Sequence, residues 1–129
     1  MIEMPDRFTM VGRRAVFRPE GSVSFDRAVE WVSAAISAAR EKGARDLLVN
    51  TVALTGFSSP DTFARFFAAV EWARRARGQL RMAIIARAEL IDPEKFGVIV
   101  AGNRGLTIDV FTAEAEAVVW LDQMGRDGE

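Results

Sequence analysis

The chain has 129 residues, of which 50% are apolar and 27% charged, with a net charge of −1. That balance suits one globular domain with a real core, and it gives no bulk charge for gripping nucleic acid. His, Cys and Tyr are all absent, which excludes Ser-His-Asp and Cys-His catalysis, disulfides, and zinc sites built on His or Cys.

Residues 8–11, FTMV, and 15–18, AVFR, predict two short strands, with Gly12 turning between them as a hairpin. Gly21 breaks the chain, and Ser24 is placed to cap a helix. From Phe25 the apolar spacing changes to three and four. Phe25, Val29, Val32, Ile36 and Ala39 form one helical face, and Gly43 ends it. Residues 46–52 come next as a strand whose centre, Leu47-Leu48-Val49, is continuously apolar, as buried parallel strands are.

A second helix is predicted to open with Ser59 as N-cap, Pro60 in the first turn and Asp61 near the positive end of the dipole. Its core face is expected to be Phe63, Phe66, Phe67, Val70 and Ala73, and Gly78 ends it. Residues 81–86, RMAIIA, predict a central strand apolar on both faces. Asp92-Pro93 repeats the cap-then-proline start and predicts a helix over about 93–104, stopped by Gly105. That helix supplies the crossover which parallel strands require. Residues 106–111 form the last strand. Thr112 then caps a final helix with Ala117, Val118, Leu121 and Met124 on one face.

The order ββαβαβαβα predicts an α/β fold, a mainly parallel sheet with helices packed on it, in a single domain over 1–129 with its core at about 8–124. The segments AVFRPEGSVSF, GARDLLVNTVALTGFSSP, QLRMAIIA and IDVFTAEAEAVVWL, in that order and spacing, resemble a STAS-like domain. This is the fold of bacterial anti-sigma-factor antagonists, and the closer likeness is to divergent STAS-like proteins. The resemblance implies a serine at the helix start that a partner kinase phosphorylates, here Ser59 with Ser58 before it. Phe57, Pro60 and Asn50 stand where the regulated members carry Asp, Gly and Asp, which weakens the implied phosphoswitch.

These placements give a set of candidate contacts. Ser58 and Ser59 are a candidate phosphosite and interaction point, since a helix N-terminus accepts added negative charge. Asn50, Thr51 and Thr55 are candidate loop contacts, either to the loop backbone or to a ligand. At about 100° per residue, Trp72 projects opposite the phenylalanine stripe and is a candidate interface anchor. Arg74, Arg75, Arg77 and Arg81 form a local basic cluster suited to a helix C-terminus. Asp109, Glu114 and Glu116 gather near the last helix, where acids favour the helix start. Gly102 to Gly105 reads as a C-cap and not a phosphate loop.

The expected function is a non-enzymatic bacterial regulatory module that binds a protein partner. No catalytic residue, metal, cofactor, nucleic acid or membrane span is expected, and a homodimer is compatible with the sequence. The start, MIEMPDRF, lacks a basic cluster leading into an apolar stretch, so a cytoplasmic location is expected. The rival is a small-molecule or lipid-binding domain with an apolar pocket between sheet and helices, lined by Phe63, Phe66, Phe67 and Phe96.

Overall fold

Residues 5–127 are described by the computed structural model. They run β1 (Phe8–Val11), β2 (Arg14–Phe17), β3 (Gly21–Ser22), α1 (Phe25–Glu41), β4 (Asp46–Asn50), β5 (Leu54–Thr55) and α2 (Thr62–Ala76). Then come β6 (Arg81–Ile85), a 3₁₀ turn at Ala88–Leu90, α3 (Phe96–Asn103), β7 (Thr107–Phe111) and α4 (Glu114–Asp127). The chain is therefore α/β with a mostly parallel mixed sheet and, among the described residues, four α-helices. The predicted order lacks β3 and β5. These two-residue strands pair with each other alone, outside the main sheet.

The main sheet has the order β1-β2-β4-β6-β7, antiparallel between β1 and β2 and parallel elsewhere. Each crossover steps to the next strand in the same direction. Crossovers of one hand moving one way leave their helices on one face, so α1, α2 and α3 share a layer. The last helix has no further strand to feed and covers the opposite face. Side-chain alternation matches this split. Ala15, Phe17, Leu47, Val49, Met82 and Ile84 pack under the three helices. Val16, Leu48, Ala83 and Ile85 meet Ala117 and Leu121 of α4. Burying each large apolar side chain contributes about 1.5–3 kcal/mol, so both faces hold the sheet.

Helix ends show where local chemistry decides. Ser24 caps α1, its Oγ accepting from the Arg27 N–H at 3.1 Å. At α2 the cap is Asp61 and not Ser59: its Oδ1 accepts from the Ala64 N–H at 2.8 Å. The helix thus starts two residues later than the proline pattern suggests. At α3 the Asp92 carboxylate accepts from the Glu94 and Phe96 N–H groups at 3.1 and 2.9 Å. Those bonds form a turn rather than a helical start, and Lys95 at φ 53° precedes the helix. The helix predicted over 93–104 is accordingly shorter. The α4 helix begins at Glu114, with the Ala113 carbonyl accepting from Ala117, which leaves Thr112 outside the cap.

The predicted face of α2 is rotated. Its buried residues are Ala68, Ala69, Ala73 and Ala76, whereas Phe63 and Phe67 are 76% and 66% exposed. Small side chains let the helix lie close to its neighbours; of the predicted face Ala73 is buried and Phe66 and Val70 pack partly against the core, while Phe63 and Phe67 point outward. At the amino ends of the central strands, Arg14, Asp46 and Arg81 stand in register. They lie beneath the end of α4, whose Met124 and Gly125 carbonyls accept from Arg81 and Arg45 at 2.6 and 3.3 Å. Among the described residues no helix is long and apolar enough to cross a membrane.

A candidate ligand cavity at the carboxyl ends of the strands

The carboxyl ends of parallel strands, where loops diverge to reach their helices, are the usual place for a ligand crevice in an α/β sheet. Here that end holds a cavity of about 150 Å³ between the sheet and α1, α2 and α3. Its floor is Ile84, Ile108 and Val110 from the sheet, and its walls include Val32 and Trp72. The void arises from small residues. Ala28, Ala68, Ala69, Ala86, Gly97 and Ala101 all line it. Ala28 and Ala68 are 6% and 4% exposed, yet neither joins the two core clusters of packed side chains. Close-packed interiors seldom leave such space. A Cβ added at Gly97 would meet only the Arg65 carbonyl, at 3.9 Å.

The mouth is built from loops. Phe25 and Phe57 meet edge to face at 5.7 Å between ring centres, and both line the cavity. Leu54 is held over it by the β3–β5 ribbon, in which the Gly21 N–H donates to Ala53 and the Val23 N–H to Thr55, at 3.2 and 2.8 Å. Arg65 ties two loops together. Its Nε donates to the Pro60 carbonyl at 3.1 Å, and its Nη2 to Ser59 Oγ at 2.8 Å and the Leu90 carbonyl at 3.2 Å.

The predicted site residues separate. Ser59 faces Arg65 at the rim and Ser58 is exposed beside it. Thr51 lines the cavity, but its Oγ1 is committed to the Ile85 carbonyl at 2.8 Å. Asn50 turns the other way. Its Oδ1 accepts from the Val52 N–H at 3.0 Å, which ends the strand predicted to reach 52, and its Nδ2 donates to Glu114 Oε2 at 2.8 Å. Thr55 lies exposed on the ribbon edge. Trp72 is not an exposed anchor. It is half-buried against the core, and its Nε1–H donates to the Val29 carbonyl at 3.3 Å. The aromatic residues predicted to line the pocket, Phe63, Phe66, Phe67 and Phe96, are not among its walls; Phe25 and Phe57 are.

Charged groups nearby are largely committed. Lys95 Nζ donates to Asp109 at 2.6 Å. The Asp92 carboxyl is held below its ordinary value by the Phe96 N–H, the Glu94 N–H and the nearby Arg65 charge. Glu114 is lowered to about 2, first by Arg18, which donates twice at 2.8 and 2.9 Å, and then by Asn50. Asp109 and Glu114 are thus consumed by separate cations. Among the described residues no group of three or more acidic side chains is placed to hold a metal ion. Arg74 and Arg75 of the basic cluster pair with Glu71 at 2.8 and 2.9 Å.

Sequence reasoning missed Ala28, Ala68 and Arg65. The signal for the first two is a run of alanines where a core helix ordinarily carries Leu or Ile. For Arg65, it is an arginine one turn inside a helix start, on the buried side. No family model, curated protein or solved structure matches the chain.

Proposed function

We propose that this domain binds a small apolar molecule between its sheet and the α1–α2–α3 layer, without catalysing a reaction on it. The observation that carries the proposal is the cavity of about 150 Å³ walled by alanine and glycine. An apolar void of roughly this size takes a benzene-sized group, and leaving it empty costs about 24 cal/mol per Å³. The occupant is therefore a single ring or a short branched chain. It is smaller than the ligands of ordinary pockets, which span roughly 300–1,000 Å³. The hydroxyl and ammonium that line it, Thr51 and Lys95, are engaged by the Ile85 carbonyl and Asp109, which suits binding more than turnover.

The test is organic extraction of the protein purified from its native cells, with mass spectrometry of the extract. A stoichiometric small molecule is expected from the wild type and not from Ala68→Leu, whose isobutyl group fills the void. Recovery of no molecule from the wild type, or of the same amount from the variant, counts against the proposal.

A second reading keeps the STAS-like regulatory role, in which the surface beside the Ser58-Ser59 helix start meets a protein partner. It is supported by Phe63 and Phe67, 76% and 66% exposed one turn apart on the outer face of α2. Aromatic side chains are enriched among the residues that carry binding energy at interfaces. Affinity capture with the wild type should recover a partner that Phe63→Ser loses by about tenfold or more. Equal recovery by both would remove this reading.

A further inference from the structure

Resting on the cavity as a ligand site, we propose that its occupant is a small carboxylate, with its apolar body in the cavity and its charged head at Arg65.

Two features of the mouth favour negative charge, and they come from different helices. The first is Arg65 itself. It lines the cavity, and its Nε and Nη2 are spent on Pro60, Ser59 and Leu90. Those bonds fix the guanidinium in place and leave Nη1 as its remaining donor. A guanidinium held by the protein binds an anion without the entropy cost of ordering a long side chain.

The second is the start of α3. Gly97 and Val98 line the cavity in its first turn. Backbone N–H groups in a first turn have no acceptor inside the helix, and together they form its positive end. The Phe96 N–H is taken by Asp92, and the first helical bond runs from Ile99 to the Lys95 carbonyl. One helix N-terminus and one arginine therefore meet at one opening.

The acids at this rim are held by other partners, although the ionised Asp92 lies near Arg65 and offsets part of its charge. Asp92 is bound by two backbone N–H groups, and Asp109 is bound by Lys95. Lys95 also lines the opening, so its charge is shared between Asp109 and the rim. An apolar ring with a carboxylate satisfies both halves of the site. A neutral ring satisfies only the cavity, and a bare anion only the rim.

The experiment is isothermal titration of the full chain at neutral pH with two nearly isosteric probes, benzoate and benzamide, and with benzene as the neutral reference. Benzoate should bind about tenfold more tightly than benzamide, as a hydrogen bond to a charged group implies. Arg65→Gln should bring the two within about twofold of each other while leaving benzamide unchanged, which also shows that the variant is folded. Arg65→Lys keeps the charge and should retain part of the preference.

Equal binding of benzoate and benzamide by the wild type overturns the carboxylate claim and leaves the cavity standing. So does a preference that survives in Arg65→Gln. Binding of none of the three probes, benzene included, overturns the cavity reading as well.

Discussion

Replacing Asp46 with alanine is expected to lower the free energy of unfolding by about 3–5 kcal/mol. Asp46 begins the central strand β4, and its side chain is 8% exposed. It accepts from Arg14 Nε at 2.8 Å and Nη2 at 3.3 Å, and Arg14 reaches on to Asp122 at 2.8 Å. The Arg14 side chain is only 22% exposed. Removing the carboxylate leaves that cation with only the half-exposed Asp122, and Arg81 in the next strand adds a like charge in the same register row. The cost is that of losing two hydrogen bonds to a charged group at a poorly exposed site, larger than the net worth of the pair.

A double replacement by apolar residues, Arg14→Met with Asp46→Leu, should lose much less. Asp122→Ala should lose no more than about 1 kcal/mol, because its side chain is 50% exposed. Urea unfolding of the three proteins measures this. If Asp46→Ala and Asp122→Ala cost the same, burial of Asp46 does not set the cost.

Gly56→Ala is expected to cost at least about 2 kcal/mol and to abolish ligand binding. Gly56 has φ 100°, a conformation that L side chains rarely adopt. An added Cβ would also lie 2.6 Å from the Val23 carbonyl oxygen, 2.8 Å from the Val23 nitrogen and 2.9 Å from Ser22 Oγ. Two of these are backbone atoms of the segment that pairs with β5, so the ribbon must open for the methyl to fit. That ribbon positions Leu54 and Phe57 over the cavity. Thermal unfolding and probe titration should therefore fail together. Gly97→Ala is the control for stability alone: its methyl meets nothing closer than 3.9 Å, and alanine favours the α3 helix by about 1 kcal/mol. An unchanged melting temperature for Gly56→Ala would show that the ribbon yields more easily than its geometry implies.

Strand and helix positions were largely legible because the periods and breakers are strong. The apolar centre Leu47-Leu48-Val49, the Ser24 cap and Gly43 past the end of α1 all act locally. The ribbon was not legible, since β3 and β5 are two residues each and rest on a few backbone bonds rather than on propensity. The rotation of α2 was misread because its phenylalanines outweigh its alanines on any hydrophobic count. Which of two apolar faces turns inward depends on the space between helix and sheet, and the local sequence does not encode that space. In this fold the alanine face fits beside α1 and α3. The Phe66 ring instead lies 5.4 Å from the Arg104 guanidinium and 5.6 Å from Phe67.

The cavity was hidden for a related reason. A void consists of atoms that are missing, and Ala28, Ala68 and Gly97 come from three helices far apart in the chain. Only the crossover topology brings them to one place. Ser59 was legible as a residue at the helix start, but its partner is Arg65 and the cap is Asp61. Trp72 was placed on the correct side of the helix relative to the phenylalanines, and that side faces inward.

The central claim, a cavity that takes a small apolar group, is tested most directly by a benzene titration monitored through backbone amide chemical shifts. In the wild type, saturable shifts should appear at amides lining the cavity, in α1 near Ala28 and Val32, in α2 from Ala68 to Trp72, and in α3 from Gly97 to Ala101. In Ala68→Leu they should be absent, while the protein is at least as stable as the wild type. Shifts that do not saturate in the wild type, or that persist unchanged in Ala68→Leu, would contradict the claim.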